Sequence, residues 1–419
     1  MQIIKKLKKL FSTIKNPTIE NSAVNTNHIE VGPYTTLEIE KLYYELMESN
    51  FYDSNYNLEE WKPEPYELMA NIFLEVFSPN IQKGSRILDV GCGVGFLIES
   101  LNEKGLNASG VEFSKQIYDR ISNFTKPHVN LLDEKSFYDN FGLHEYDLIT
   151  SLEVFEHLPI RLIKKNLLKL FNEHDGWIFL TIPSIGSDPY SGRLVHYESL
   201  PNRIKDMSQN SLFTFLGMLN GIPGGGHITL ASYRWWTDFF FLHNWVRDFE
   251  KEIKLSHYNK ILLANKWCPF ILKKFRADEV KFAGGWLPVS HTSEESELKG
   301  YWNLSNAEIL FVCNRKKLFF EFQTQGPNSN QFPLYISLRL WELKEELSGK
   351  IIYKLYKTIT KEINYSSTNS YTLLIEFESH EVSGKYFKLE LNTPMFLIHD
   401  FVLGRDTWVG FIFKNCFFK

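Results

Sequence analysis

The sequence lacks the marks of several large protein classes. It has four cysteines in 419 residues, Cys92, Cys268, Cys313 and Cys416, widely separated and without a Cys-x-x-Cys pair. This argues against a disulfide-stapled scaffold or a cysteine zinc site, and favours a reducing compartment. No apolar run approaches the ~20 residues that a membrane-spanning helix needs. The first residues do not read as a secretory signal, having no uninterrupted apolar core and no small-residue cleavage site. A formal net charge of −4 gives no broad basic surface for nucleic acid. No internal repeat is evident. The expectation is a soluble, cytoplasmic protein.

What is present is enough for real cores. Hydrophobic residues make up 43% of the chain, and a length of 419 residues suggests two or three domains. Aromatic content of 15% is high, which favours a large β component, because rings suit half-buried pleated surfaces. At the N-terminus, Ile3, Ile4, Leu7, Leu10, Phe11 and Ile14 recur at helical spacing, and Lys5, Lys6, Lys8, Lys9 and Lys15 fill positions between them. Such a helix suits either the headgroup layer of an anionic membrane or a protein surface. Residues 16–36 lack periodicity and read as a linker.

From residue 37 to about 77 the pattern is helical, with one segment over Leu37 to Met47 and another over Tyr66 to Phe77, where Leu68, Ile72, Val76 and Phe77 form one apolar stripe. Short apolar strands then alternate with helices: strands at 86–90, 108–112, 129–132, 146–152 and 177–182, and helices at 96–104, 114–123 and 161–171. That alternation predicts a parallel sheet covered on both faces, with ligands at the carboxyl ends of its strands. Residues 184–232 form a long irregular insertion with the run Pro223-Gly224-Gly225-Gly226, read as a lid or acceptor-binding element. From about 278 the chain turns to short alternating segments separated by turn residues, the pattern of an antiparallel β-sandwich. Lys344 to Lys361 is ambiguous between helix and strand. The expected organisation is therefore 1–36 amphipathic helix and linker, 37–277 α/β domain, and 278–419 β-sandwich.

The most informative stretch is Ile87-Leu-Asp89-Val-Gly91-Cys92-Gly93-Val-Gly95. A chain leaving a buried strand and entering a helix beside a ligand needs residues that tolerate positive φ and close approach, which glycine provides. Position 96 is Phe, so the third glycine of the dinucleotide fingerprint is missing. The run resembles motif I of class I S-adenosylmethionine-dependent methyltransferases. The resemblance implies a Rossmann-like α/β domain with a mostly parallel seven-stranded sheet and S-adenosylmethionine as methyl donor. It implies that Asp89, Gly91, Cys92 and Gly93 contact the donor, and that Glu112 takes its ribose hydroxyls, with Phe113 beside it. Asp133 would meet the adenine, with Leu132 and Glu134 as neighbouring candidates. Leu152 and Glu153 would complete the donor site from the fourth strand.

The fourth strand runs into Glu153-Val-Phe-Glu156-His157-Leu-Pro159. On a helix, Glu153, Glu156 and His157 would share one face. This segment resembles the Glu-x-x-Glu-His element of small-RNA 2′-O-methyltransferases and ubiquinone-pathway O-methyltransferases. The resemblance implies a divalent site, Mg²⁺ or similar, formed by Glu153, Glu156, His157 and a downstream histidine, here His227. Two other readings stay open. His157 or His227, with Glu156, serves as general base without a metal, or the segment only shapes the pocket. His196 is a further candidate, and Arg234-Trp235-Trp236 is read as either acceptor pocket or core.

Gly300-Tyr-Trp-Asn303, Pro394 and the run 400–410 resemble a β-sandwich module of bacterial surface-polysaccharide enzymes. That implies a glycan or sugar-nucleotide acceptor and an O-methyltransferase of capsule or O-antigen synthesis, working at the inner membrane face. The alternatives are an RNA 2′-O-methyltransferase, which the acidic total disfavours, a quinone or phenol O-methyltransferase, and a non-catalytic carbohydrate-binding scaffold.

Overall fold

The computed structural model describes residues 28–31, 61–132, 142–185, 218–219, 222–223, 226–265, 267–276, 279–282, 286–288, 301–303, 307–323, 334–363, 370–377, 382–392, 396–400, 405–409 and 412–418. The expected N-terminal amphipathic helix, the helix near 37–47, Asp133, His196 and most of the 184–232 insertion lie outside these residues.

The first sheet has seven strands: β1 (Arg86–Val90), β2 (Asn107–Glu112), β3 (Val129–Leu131), β4 (Leu148–Leu152), β5 (Trp177–Thr181), β6 (Trp245–Arg247) and β7 (Pro269–Lys274). Their order is β6-β7-β5-β4-β1-β2-β3. The pairs among β1 to β5 are parallel, while β7 runs antiparallel to both β5 and β6. The central strands Ile87–Leu88 and Leu148–Ile149 are buried, as expected for a sheet covered on both faces. Helices α1 (Glu64–Val76), α2 (Phe96–Glu103), α3 (Lys115–Asp119) and α4 (Ile160–Glu173) follow, then α5 (Tyr233–Leu242), α6 (Phe249–Ser256) and α7 (Asn259–Ala264). The helix expected over 114–123 is shorter, and Ser114 caps it by accepting from Ile117 N at 3.1 Å. This is the mostly parallel, seven-stranded Rossmann-like sheet that the motif resemblance implied.

The C-terminal region is an antiparallel β-sandwich, as expected. Residues 28–31, 351–363, 334–345, 385–392, 307–313 and 280–282 form a six-stranded sheet in that order. Residues 286–288, 301–303, 412–418, 317–323 and 370–376 form a five-stranded sheet. The stretch left ambiguous over 344–361 runs through the turn of a hairpin of two long strands, Leu334–Glu345 and Ile351–Ile363. His28–Val31, inside the stretch read as a linker, pairs with Ile351–Lys354 and becomes the sheet edge. Four isolated residues carry too little periodicity to betray a strand whose partner lies some 320 positions away.

The sandwich and the α/β domain share a core. In the strand 334–345, Ile336, Leu338 and Leu340 face the sandwich interior, while Trp341 and Leu343 belong to the cluster around α5. Trp235, Trp236, Phe239, Phe240 and Phe241 of α5 are fully buried there. Each such aromatic contributes roughly 1.5–3 kcal/mol by leaving water. Trp235 Nε1 also donates to Gly349 O at 3.0 Å. The reading of Trp235-Trp236 as acceptor pocket is therefore replaced by core, because both indoles are sealed between the two domains. Among the described residues, no helix is long and apolar enough to cross a membrane.

Candidate functional site

The glycine loop leaves β1 at its carboxyl end and enters α2. Gly91 and Gly93 have φ of +74° and +57°. A Cβ on Gly91 would stand 2.6 Å from Val154 Cγ2, and one on Gly93 would stand 2.5 Å from the Trp61 ring. Side-chain atoms at these positions would both strain the backbone and collide with neighbours. Val154 and Trp61 thus press on the loop from opposite parts of the chain. Cys92 is buried, and Gly91 N and Cys92 N both donate to Val111 O, holding the loop against β2.

Glu112, 6% exposed, ends β2. Its Oε2 accepts from Gly93 N at 2.8 Å, and its Oε1 accepts from Phe113 N and Ser114 N at 2.8 Å each. The side chain expected to take ribose hydroxyls thus also braces the loop, and a carboxylate retains acceptor capacity beyond three amides. Phe113 is partly buried against the core. Asp89, 3% exposed, accepts from Thr150 Oγ1 at 2.7 Å. Burial pushes its carboxyl up to about 7, with the nearby Glu112 charge adding to the rise and the Thr150 hydrogen bond opposing it. Leu152 is partly buried at the end of β4.

The Glu-x-x-Glu-His segment is not the helix expected. Glu153 sits at φ +57°, its N–H donating to Thr181 O at 2.9 Å, and only Phe155–His157 forms a 3₁₀ turn. Glu153, Glu156 and His157 therefore do not share a helical face. The turn is instead locked by the segment after the insertion: Ile228 N and Thr229 N donate to Glu156 O at 2.8 and 2.9 Å, and Thr229 Oγ1 donates to Leu158 O at 2.7 Å. These bonds bring His227 to Glu156, some seventy residues away in sequence.

Glu156, His157 and His227 form a cluster in which one ligand atom from each lies within 4.8 Å of the others. His157 Nε2 is 3.7 Å and His227 Nε2 4.0 Å from Glu156 Oε1, and the two rings stand edge to face at 4.9 Å. Glu153, proposed from sequence as a fourth ligand, is not in this group. The Glu156 side chain is fully buried and neither of its oxygens has a hydrogen-bond partner. Burial, then the charge of Glu153, pushes its carboxyl well above the usual range, and burial alone lifts Glu153 to about 7 against a Thr181 hydrogen bond. Burial lowers His157 to about 4, opposed by its contact with Gly226 O, to which Nδ1 lies at 3.1 Å. With Nδ1–H directed at that carbonyl, Nε2 presents its lone pair toward Glu156.

Two aromatic residues next to the loop escaped sequence reasoning. Trp61 lies over Gly93. Tyr66, in the first turn of α1, has its ring centroid 5.9 Å from that of Phe96, the residue that opens α2. Neither belongs to a motif, and only the fold brings them to the loop.

Residues 61–216 match a family model described as a methyltransferase domain. Over 107 residues the chain is 30% identical to the ubiquinone biosynthesis O-methyltransferase of Coxiella burnetii (strain Dugway 5J108-111), covering 24% of this chain and 46% of that protein. Over 116 residues it is 28% identical to the enzyme of the same name from Nitrosospira multiformis, covering 26% and 46%. The match thus spans about half the length of these curated relatives. Among solved structures, the plantazolicin methyltransferase BpumL in complex with SAH aligns at 16% identity and a TM-score of 0.36, over 57% of this chain and 94% of that one.

Proposed function

We propose that this chain, which carries a class I S-adenosylmethionine-dependent methyltransferase domain, is an O-methyltransferase acting on a sugar hydroxyl in cell-surface polysaccharide synthesis. One observation carries the oxygen-directed chemistry. The Glu156–His157–His227 cluster begins two residues beyond Val154, which itself rests on Gly91 of the donor loop. A proton-accepting or cation-binding site beside a methyl donor is what activation of a weakly acidic hydroxyl requires.

The donor loop fits S-adenosylmethionine. Gly91 and Gly93 hold the positive φ that turns the loop between β1 and α2, Glu112 retains acceptor capacity for ribose hydroxyls, and Asp89 and Glu153 offer carboxyl oxygens to the ammonium group. When bound there, S-adenosylmethionine supplies an electrophilic methyl group for in-line displacement by the acceptor oxygen. The cluster also fits a divalent cation, its two imidazoles suiting a transition metal and its carboxylate Mn²⁺ or Mg²⁺: a carboxylate with two unpartnered buried oxygens faces two imidazoles, one oriented by a carbonyl. Such a cation supplies acidification of the acceptor hydroxyl. Glu156, His157 and His227 would hold it. Without a cation, the imidazoles of His157 and His227 are the groups placed to take the proton at Nε2.

The β-sandwich fused to the domain, with its resemblance at residues 300–303 and 400–410, supports the sugar acceptor. The basic amphipathic pattern of residues 1–15 supports work at a membrane face, where lipid-linked glycans are assembled. A second reading, a phenolic hydroxyl, draws on the names of the curated relatives. The test is incubation of the purified full chain with methyl-labelled donor and parallel panels of sugar nucleotides, glycans and catechol-type quinone precursors. Label in carbohydrate is the expected outcome, and label confined to phenols would replace the sugar reading with the second.

A further inference from the structure

We infer that the β-sandwich positions the acceptor side of the site: Tyr353 and Lys388 of the sandwich seat α5, α5 holds the root of the insertion, and the root keeps His227 against Glu156. This rests on the reading of Glu156, His157 and His227 as the acceptor-activating cluster, and gives the sandwich a part in it although no sandwich residue belongs to the cluster.

The connection begins at the cluster. His227 stands between Gly226, whose carbonyl lies 3.1 Å from His157 Nδ1, and Ile228, whose N–H donates to Glu156 O. Thr229, 1% exposed, donates from its N–H to Glu156 O and from Oγ1 to Leu158 O. Leu230 and Ala231 are fully buried. Ala231–Ser232 then pairs in parallel with Ser184–Ile185, so the two ends of the insertion are joined at its root. Ser232 Oγ accepts from Trp235 N at 3.0 Å and caps α5. The segment from His227 to the first turn of α5 is thus tied down along its length.

The connection ends on the sandwich. α5 lies against the strands 334–345 and 351–363. Trp235 Nε1 donates to Gly349 O in the turn between them, and Arg234 Nη2 lies 3.2 Å from Glu390 Oε1. One turn along α5, the buried Asp238 takes Lys388 Nζ on Oδ1 and the Tyr353 hydroxyl on Oδ2. A charge pair sealed from water holds one geometry, because either charge left alone there is costly. α5 therefore has one seat on the sandwich, and the root that leads into it takes its place from that seat. A shift of about 1 Å in a group that must meet a reacting atom costs on the order of a hundredfold in rate, so the seat matters to the cluster. The donor loop is held differently, by Val111 O and Glu112 Oε2 inside the α/β domain. The sandwich should then act on one side of the site and not the other.

Hydrogen exchange of the full chain compares the amides of Ile228 and Thr229, which donate to Glu156 O, with that of Cys92, which donates to Val111 O. Tyr353→Phe keeps the ring and loses the hydroxyl on Asp238. Trp235→Phe keeps a ring and loses the hydrogen bond to Gly349. Each variant is expected to speed exchange at Ile228 and Thr229 about tenfold, the worth of one buried hydrogen bond, and to leave Cys92 unchanged. Mn²⁺ affinity, followed by electron paramagnetic resonance, is expected to fall several-fold in both, with S-adenosylhomocysteine affinity within about twofold of wild type. Equal acceleration at all three amides would show only a loss of global stability and would overturn the part given to the sandwich. So would unaltered exchange at Ile228 and Thr229, or faster exchange there with Mn²⁺ affinity retained. A wild-type chain that takes no Mn²⁺ would remove the cation from the cluster, and the exchange rates alone would then decide whether the sandwich holds the root.

Discussion

Glu112 Oε2 accepts a hydrogen bond from Gly93 N at 2.8 Å, so the carboxylate that ends β2 holds the loop that ends β1. Its other oxygen is held by Phe113 N and Ser114 N. A single side chain therefore sets the loop's shape and, under the proposed function, would take the donor's ribose hydroxyls. Glu112→Gln keeps the size but turns an amino group toward backbone donors. The expected result is a loss of about 1–3 kcal/mol in denaturant unfolding, together with at least tenfold weaker S-adenosylhomocysteine binding. Unaltered stability with weakened binding would show that the bracing is dispensable.

The raised Asp89 carboxyl links stability to pH. Its value in the folded chain is about 7 against an ordinary 3.8, so the folded chain holds the proton more tightly than the unfolded one. The stability tied to that proton is fully present below about pH 4 and is lost as pH rises toward 7. Asp89→Asn removes the cost of ionising this buried group and leaves Thr150 its acceptor. The variant without ligand should gain on wild type as pH rises from 5 to 8, by up to about 1.4 kcal/mol per pH unit. Denaturant unfolding at the two pH values measures this, and a difference independent of pH would refute it. S-adenosylhomocysteine binding is expected to fall in the same variant.

The Glu156–His157–His227 cluster predicts sensitivity to chelation. Methyl transfer should fall after EDTA treatment and return with Mg²⁺ or Mn²⁺. Glu156→Ala and His227→Ala should each lose Mn²⁺ binding, read by electron paramagnetic resonance, with S-adenosylhomocysteine affinity within about twofold of wild type. If EDTA leaves the rate unchanged, the cation has no part and the imidazoles act as bases. Preserved Mn²⁺ binding in both variants would place the cation elsewhere.

Where α5 meets the β-sandwich, Lys388 Nζ lies 2.5 Å from Asp238 Oδ1 and 3.1 Å from Glu308 Oε2, in a site where Lys388 and Asp238 are 1% and 0% exposed. Tyr353 OH also donates to Asp238 Oδ2, and Arg234 pairs with Glu390. The network ties α5 to the β-sandwich. Lys388→Met would leave a buried charge short of its partner and should cost about 3–5 kcal/mol, with Asp238→Asn in the same chain recovering part of it. A chain ending at residue 277 should fail to unfold cooperatively, since it exposes the aromatic face of α5. A stable, cooperative truncated domain would show instead that the shared core is dispensable.

Much of the donor side was legible in the sequence because it is local. Strand, glycine loop and helix follow one another between Arg86 and Glu103, and glycine at 91 and 93 declares a conformation that other residues resist. Glu112 was legible too, since a parallel β1–β2 pair places the two strand ends side by side. The acceptor side was less so. Spacing suggested one helical face for Glu153, Glu156 and His157, but backbone hydrogen bonds from Ile228 and Thr229 hold a 3₁₀ turn over Phe155–His157 that leaves Glu153 outside the cluster. Trp235 and Trp236 could not be assigned by type, because an aromatic pair looks alike in a pocket and in a core.

The sequence by itself determined the alternation of strands and helices, the donor loop and the sandwich that follows, since each rests on hydrophobic period and on the backbone freedom of glycine, both local properties. Only the tertiary structure decided that His227 meets Glu156, that Trp61 lies on Gly93, and that Lys388 answers Asp238 across the domain boundary. Those pairings join residues 32 to 150 positions apart. No local preference encodes them, because they arise from which surfaces bury together once the sheets have formed.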